Sequence, residues 1–134
     1  MSPAHPVTYF EIPVLDMARA AAFYQGVFSV VLEHTTIDGN QMALFPFNKD
    51  APGSTGALAC GESYRPSLHG TRVYFRTTGI RATLAQVTER GGTILYPVTS
   101  VGELGWVAEF SDSEGNCIAL HEPARVEHVP HEAT

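Results

Sequence analysis

The chain has 134 residues, of which 44% are hydrophobic and 16% charged, and its 14 acidic against 8 basic side chains give a net charge of −6. That length matches one domain able to bury an ordinary core without disulfides or a structural metal. The acidic balance argues against nucleic acid or an anionic membrane surface as partner, since both are held mainly by Lys and Arg. Two cysteines, Cys60 and Cys117, fall short of the dense framework of a small secreted domain, so both read as reduced thiols. The opening Met1-Ser2-Pro3-Ala4-His5-Pro6 lacks a basic stretch followed by an apolar one, and no run of about 18 apolar residues occurs, so a cytoplasmic location is expected.

Residues 7–14 are rich in β-branched and aromatic side chains and predict a first strand, with Pro13 leaving the ladder near its end. Asp16 is placed to cap a helix in which Met17, Ala20, Ala21, Tyr24 and Val27 recur at helical spacing, ending near Phe28. Residues 29–35 and 42–47 predict a hairpin about Asp38-Gly39-Asn40, because Asp-Gly tolerates the positive φ of a tight turn. A loop containing Pro52 and Gly53 leads to a short strand at 55–60, and a longer loop at 61–70 closes the first half as βαβββ.

The second half repeats that order. Residues 71–77 predict a strand, 80–90 a helix closed by Gly91-Gly92, 93–96 a strand, and 106–110 with 116–121 a hairpin across Asp112-Ser113-Glu114-Gly115. Sliding one half along the other by 63 positions superposes Phe10 on Val73, Ile12 on Phe75, Met17 on Ile80, Ala21 on Leu84 and Tyr24 on Val87. Apolar positions coincide although identities do not, which fits two similar modules. The predicted fold class is α+β: one domain over 1–134, with module one at about 7–60, module two at about 71–121 and a short tail.

Three runs, taken in this order, carry a resemblance across residues 7–123. They are Phe10-Glu11-Ile12-Pro13-Val14 followed by Asp16-Met17-Ala18-Arg19-Ala20 and Phe23-Tyr24; the mid-chain Gly91-Gly92; and Phe110-Ser111-Asp112-Ser113-Glu114-Gly115-Asn116. The chain resembles the vicinal oxygen chelate superfamily, which includes glyoxalase I, fosfomycin- and bleomycin-resistance proteins and extradiol dioxygenases. The resemblance implies two βαβββ modules side by side, forming a curved mixed sheet around a cleft whose metal ligands come from four strands. Those ligand positions fall here on Tyr9, within Thr55-Gly56-Ala57-Leu58-Ala59-Cys60, on Arg72 and on Ala119. Phenol, guanidinium and methyl groups are not the converging donors that a divalent ion requires. The resemblance therefore implies a glyoxalase-like protein without the usual metal ligands; no metal and no cofactor is expected, and Lewis-acid chemistry loses its support.

If Tyr9 holds the old ligand position, strand alternation turns Glu11 into the cleft as well, places Arg72, Tyr74 and Arg76 together, and places Cys117, Ala119 and His121 together. The expected ligand-contacting set is thus Tyr9, Glu11, Arg72, Tyr74, Arg76, Cys117 and His121, with Glu11 as the candidate general base and His121 as the candidate acid. Each has a structural alternative. Glu11 could pair with Arg72 or Arg76 to fix how the modules meet, His121 could be a strand-end histidine bonded to backbone, and Cys117 has no activating neighbour on its own strand. The 62–69 loop reads first as a plain connector, and second as a cover over the cleft. Trp106 is placed against a helix or the cleft wall. His128 and His131 stand three apart around Pro130 in a short acidic tail and do not predict a metal site.

Three functions remain open at this level: a metal-free binding protein for a small, partly apolar compound, neutral or anionic; a metal-independent lyase or isomerase using Glu11 as base; and, with least support, a divalent-metal glyoxalase or dioxygenase with re-sited ligands. A small molecule is the expected partner. A two-fold homodimer is also expected, because exposed sheet edges need covering.

Overall fold

The computed structural model describes residues 4–124; His128 and His131 lie outside them. The chain runs β1 (Tyr9–Pro13), α1 (Met17–Phe28), β2 (Glu33–Ile37), β3 (Asn40–Leu44), β4 (Thr55–Cys60), β5 (Tyr74–Arg76), α2 (Ile80–Glu89), β6 (Thr93–Ser100), a 3-10 turn at Gly102–Leu104, β7 (Trp106–Ser111) and β8 (Cys117–Glu122). This is βαβββ twice. Each module forms a four-stranded mixed sheet, ordered β1-β4-β3-β2 and β5-β8-β7-β6, in which the first and last strands pair in parallel and the other pairs are antiparallel. The hydrogen-bonded ladder is interrupted between modules, so β1 and β5 are each the inner edge of their own sheet.

Local chemistry accounts for most boundaries. The Asp16 side chain accepts from the Arg19 amide at 3.0 Å, satisfying one free donor of the α1 N-terminus, and Ser29 in the left-handed region (φ 55°) ends the helix. Asp38 (φ 54°) and Gly39 (φ 79°) form a two-residue hairpin turn, pairing Ile37 with Asn40. That tight turn draws both flanking strands towards it, which moves the expected 29–35 and 42–47 strands to Glu33–Ile37 and Asn40–Leu44. In module two, β6 continues through Pro97 to Ser100 instead of stopping at Tyr96. As the outer edge of its sheet it does not need every amide, and its register shifts on either side of Tyr96. β5 is shorter than the expected 71–77, so Arg72 precedes the paired segment.

Both helices pack on the same side of the sheets and share one core. Tyr24, Val27 and Phe23 of α1, Leu84 and Val87 of α2, Ile12, Leu58, Phe110 and Leu120 of the strands, and Phe45 just after β3 belong to one continuous buried cluster. Each such large apolar side chain contributes about 1.5–3 kcal/mol on leaving water. Phe75 of module two stacks on Phe28 of module one at 4.4 Å between centroids, so the core itself joins the modules.

A polar clasp joins them a second time. The Asp112-Ser113-Glu114-Gly115 turn between β7 and β8 reaches over to module one. The Asp112 carboxylate, buried at 4% exposure, accepts from the Glu114 and Asn116 amides, from Asn116 Nδ2 and from the Tyr24 hydroxyl at 2.6 Å. Glu114 accepts from the Leu15 and Asp16 amides, from Ser113 Oγ, and from Arg19 at 2.7 and 2.9 Å. Burial pushes the Glu114 carboxyl up, but these donors outweigh it and hold it at about 2. Asn116 Nδ2 also donates to the Pro13 carbonyl at 2.8 Å, fixing the end of β1 against module two.

Candidate functional site

Alternation in β1 sends Phe10 and Ile12 into the helix-side core and leaves Tyr9 and Glu11 on the opposite, exposed face. Glu11 lies opposite Ala57 of β4; Tyr74 lies opposite Ala119 of β8, which lies opposite Glu109 of β7. This helix-free face therefore has a floor of small residues with polar groups standing at the inner edges.

Glu11 is held by two phenols. Its Oε2 accepts from Tyr9 at 3.0 Å and its Oε1 from Tyr64, on the inter-module loop, at 2.7 Å. Burial, and then the bond to Glu11, push the Tyr9 phenol up to about 12, and the Glu11 bond raises Tyr64 as well. Both phenols consequently stay protonated near neutral pH and act as donors. The expected contact between Glu11 and Arg72 or Arg76 does not form. Arg72, two residues before β5 begins at Tyr74, instead pairs with Glu109 of β7 at 3.1 Å. Cys117, 8% exposed, sits 3.9 Å from Glu109 Oε1; burial raises its thiol, so it is neutral rather than a thiolate.

Glu11 and Cys117 come together in a cavity of about 200 Å³ at one end of the seam between β1 and β5, lined also by Arg65, Ser67, Thr71 and Asn116. Tyr74 and Arg76 line a different cavity at the other end of the seam. His121 Nε2 donates to the Leu104 carbonyl at 2.6 Å, the strand-end arrangement, so one nitrogen of the candidate acid is committed to the 3-10 turn. Trp106 lines the groove beside the start of α2, with Val98 and Glu122, rather than the cavity of Glu11.

The 61–70 segment is more than the plain connector expected of it. Tyr64 binds Glu11 and packs on the small apolar cluster of Met42, Ala57 and Ala59; the Ser67 amide donates to Asn116 Oδ1 at 3.2 Å; and Arg65 and Ser67 wall the cavity. Glu109 was equally absent from the expected set. Its signal was a carboxylate between Ala108 and Phe110 in a strand whose alternate residues are buried, which points the charge to the helix-free face.

Among the described residues no three His, Cys, Asp or Glu side chains are grouped to hold a metal ion. The positions matching the four ligand strands present a phenol at Tyr9, small residues in β4, a guanidinium at Arg72 and a methyl group at Ala119, and this donor set does not fit a divalent cation. Also among the described residues, no helix is long and apolar enough to cross a membrane.

Comparison with known proteins gives the same class of molecule. No family model matches the chain. A glyoxylase-like domain-containing protein of Didymella fabae is 30% identical over 118 residues, spanning 85% of this chain and 91% of that protein. The antibiotic-binding protein TnmS3 of Streptomyces sp. CB03234 is 26% identical with a TM-score of 0.67, over 92% of this chain and 99% of the other. The fold is shared with a glyoxylase/bleomycin resistance protein/dioxygenase domain from Frankia sp. EAN1pec (14% identity, TM-score 0.70, 91% and 100% covered) and with the fosfomycin resistance protein FosX of Listeria monocytogenes (16%, 0.63, 97% and 99%). The chain belongs to the glyoxalase-like proteins of the vicinal oxygen chelate superfamily.

Proposed function

We propose that this protein binds a small molecule at the inter-module seam without a divalent ion, anchoring it in the cavity shared by Glu11 and Cys117. The observation that carries this reading is the convergence of a phenol-bound carboxylate, Arg65, Thr71 and a neutral thiol on one concavity between rigid modules. At about 200 Å³ the cavity is smaller than the roughly 300–1,000 Å³ of drug-sized sites. It therefore suits the anchoring end of a ligand whose remainder lies along the exposed face. The description of TnmS3 as antibiotic-binding supports a binding role over a catalytic one.

The test is a thermal-shift screen of small polar and aromatic compounds in the presence of chelator, followed by titration of any hit into Glu11→Gln and into Glu89→Gln, a surface control. Loss of affinity in the first variant alone supports the reading; equal affinity in both contradicts it. Turnover of a hit under chelation would move the assignment to metal-independent catalysis with Glu11 as base.

The same proposal includes a two-fold homodimer. It is supported by β2 and β6 as outer edges carrying exposed Ile37, Ile94 and Tyr96. The net charge of −6 supports the absence of nucleic acid as a partner, and two free cysteines support a reducing, cytoplasmic setting.

A further inference from the structure

The offset of 63 that superposes the modules also superposes the two ends of the seam. It carries Glu11, Ile12 and Pro13, which line the first cavity, onto Tyr74, Phe75 and Arg76, which line the second. The second cavity, of about 500 Å³, is bounded by Phe10, Val30, Phe45, Tyr74, Phe75 and Arg76. The two ends have diverged in character. Where the first has a carboxylate, the second has an exposed guanidinium with no carboxylate within ion-pair distance among the described residues, and no acidic side chain stands in the wall of the second cavity.

Three phenyl rings form the wall. Phe10, Phe45 and Phe75 are mutual neighbours, with centroids 5.9, 5.7 and 5.6 Å apart and ring planes inclined at 47–80°. Phe45 is buried, while Phe10 and Phe75 are only partly so. Gly56 of β4 makes room for this arrangement: a Cβ there would stand 2.7 Å from the Phe10 ring. The partly buried Phe10 and Phe75 rings offer flat apolar area held in place by core packing, and a guanidinium at the rim adds charge and planar donors.

We infer that the Phe10–Phe45–Phe75 cavity is a second binding site, distinct from the cavity of Glu11, and that it takes a planar aromatic anion, the rings against the phenyl wall and the anionic group on Arg76.

The test uses two dyes that share an aromatic skeleton and differ in charge: 8-anilinonaphthalene-1-sulfonate and neutral N-phenyl-1-naphthylamine. Each is titrated into the full chain, with near-UV circular dichroism to confirm native packing. The sulfonate should bind saturably with one dye per chain, and Arg76→Gln should weaken it about tenfold while leaving the neutral dye within about twofold. Glu11→Gln should leave both dyes unchanged, so that failure here is separable from failure of the Glu11 site. Because Arg76 is exposed, its replacement does not disturb the core. Non-saturable binding, no binding, equal sulfonate affinity in Arg76→Gln, or a larger loss in Glu11→Gln would each overturn the inference.

Discussion

Replacing Glu114 by Gln tests how the modules are held at the geometry that makes the seam. The side chain of Glu114 is fully buried, and its two oxygens accept from two backbone amides, a hydroxyl and the Arg19 guanidinium. Glutamine keeps the volume and one carbonyl oxygen. If that oxygen stays on the Leu15 and Asp16 amides, the new NH2 group meets Arg19 Nε donor against donor. Breaking a buried ion pair from one side costs about 3–5 kcal/mol. Arg19 is half exposed (52%) and can turn to water, so the expected loss falls below that range, at about 2–3 kcal/mol. The carboxyl's displacement from 4.5 to about 2 gives a linkage of similar size, about 3 kcal/mol before the same discount. Urea denaturation should report that loss, with the melting temperature falling roughly 3–5 °C per kcal/mol at this length. The pH dependence has a definite sign. A depressed folded-state pKa stabilises above the unfolded value and ceases to do so as pH falls through the folded one. The difference between wild type and Glu114→Gln should thus be full above about pH 4.5 and shrink towards pH 2. A loss under about 1 kcal/mol at pH 7, or a difference that grows on acidification, would refute the clasp as described.

Further consequences can be checked independently. Gly56→Ala would place a methyl group 2.2 Å from the Phe10 carbonyl oxygen, and because backbone cannot yield as a flexible side chain does, it should cost about 1–3 kcal/mol in urea melts. Ultraviolet titration should show one tyrosine ionising near pH 12 that disappears in Tyr9→Phe; in Glu11→Gln, which removes the neighbouring charge, its pKa should fall. Light scattering should give twice the monomer mass, and a concentration-independent monomer would remove the dimer from the account.

Features set by neighbouring residues were the legible ones. Asp16 as helix cap, Asp38-Gly39 as the hairpin turn, the α1 stripe and the β4 boundaries all follow from local propensity and periodicity, and each stands where the sequence places it. Where a rule depends on position within the sheet, the sequence was ambiguous. The strand expected at 93–96 continues to Ser100 because β6 is an outer edge, where the missing amide of Pro97 is tolerated.

The site divided along the same line. Strand phase correctly separated Tyr9 and Glu11 from Phe10 and Ile12, since alternation is a property of one strand. Which groups answer those side chains was not readable. Tyr64 reaches Glu11 across 53 positions through a loop with no pattern of its own, and Arg72, just ahead of β5, pairs with Glu109 37 positions away. For His121 the sequence left open a backbone-bonded strand-end role, but did not show that its partner would be the Leu104 carbonyl of the 3-10 turn.

The central claim is that the Glu11 and Cys117 end of the seam binds a small molecule without a metal ion. Amide chemical-shift mapping of the isotopically labelled chain, in chelator and against a library of small polar and aromatic compounds, tests it most directly. The account predicts saturable shifts grouped on Glu11, Ser67, Thr71, Asn116 and Cys117, unchanged when Mg²⁺ or Zn²⁺ is restored. Binding that appears only with added metal, or shifts grouped away from this end of the seam, would contradict it.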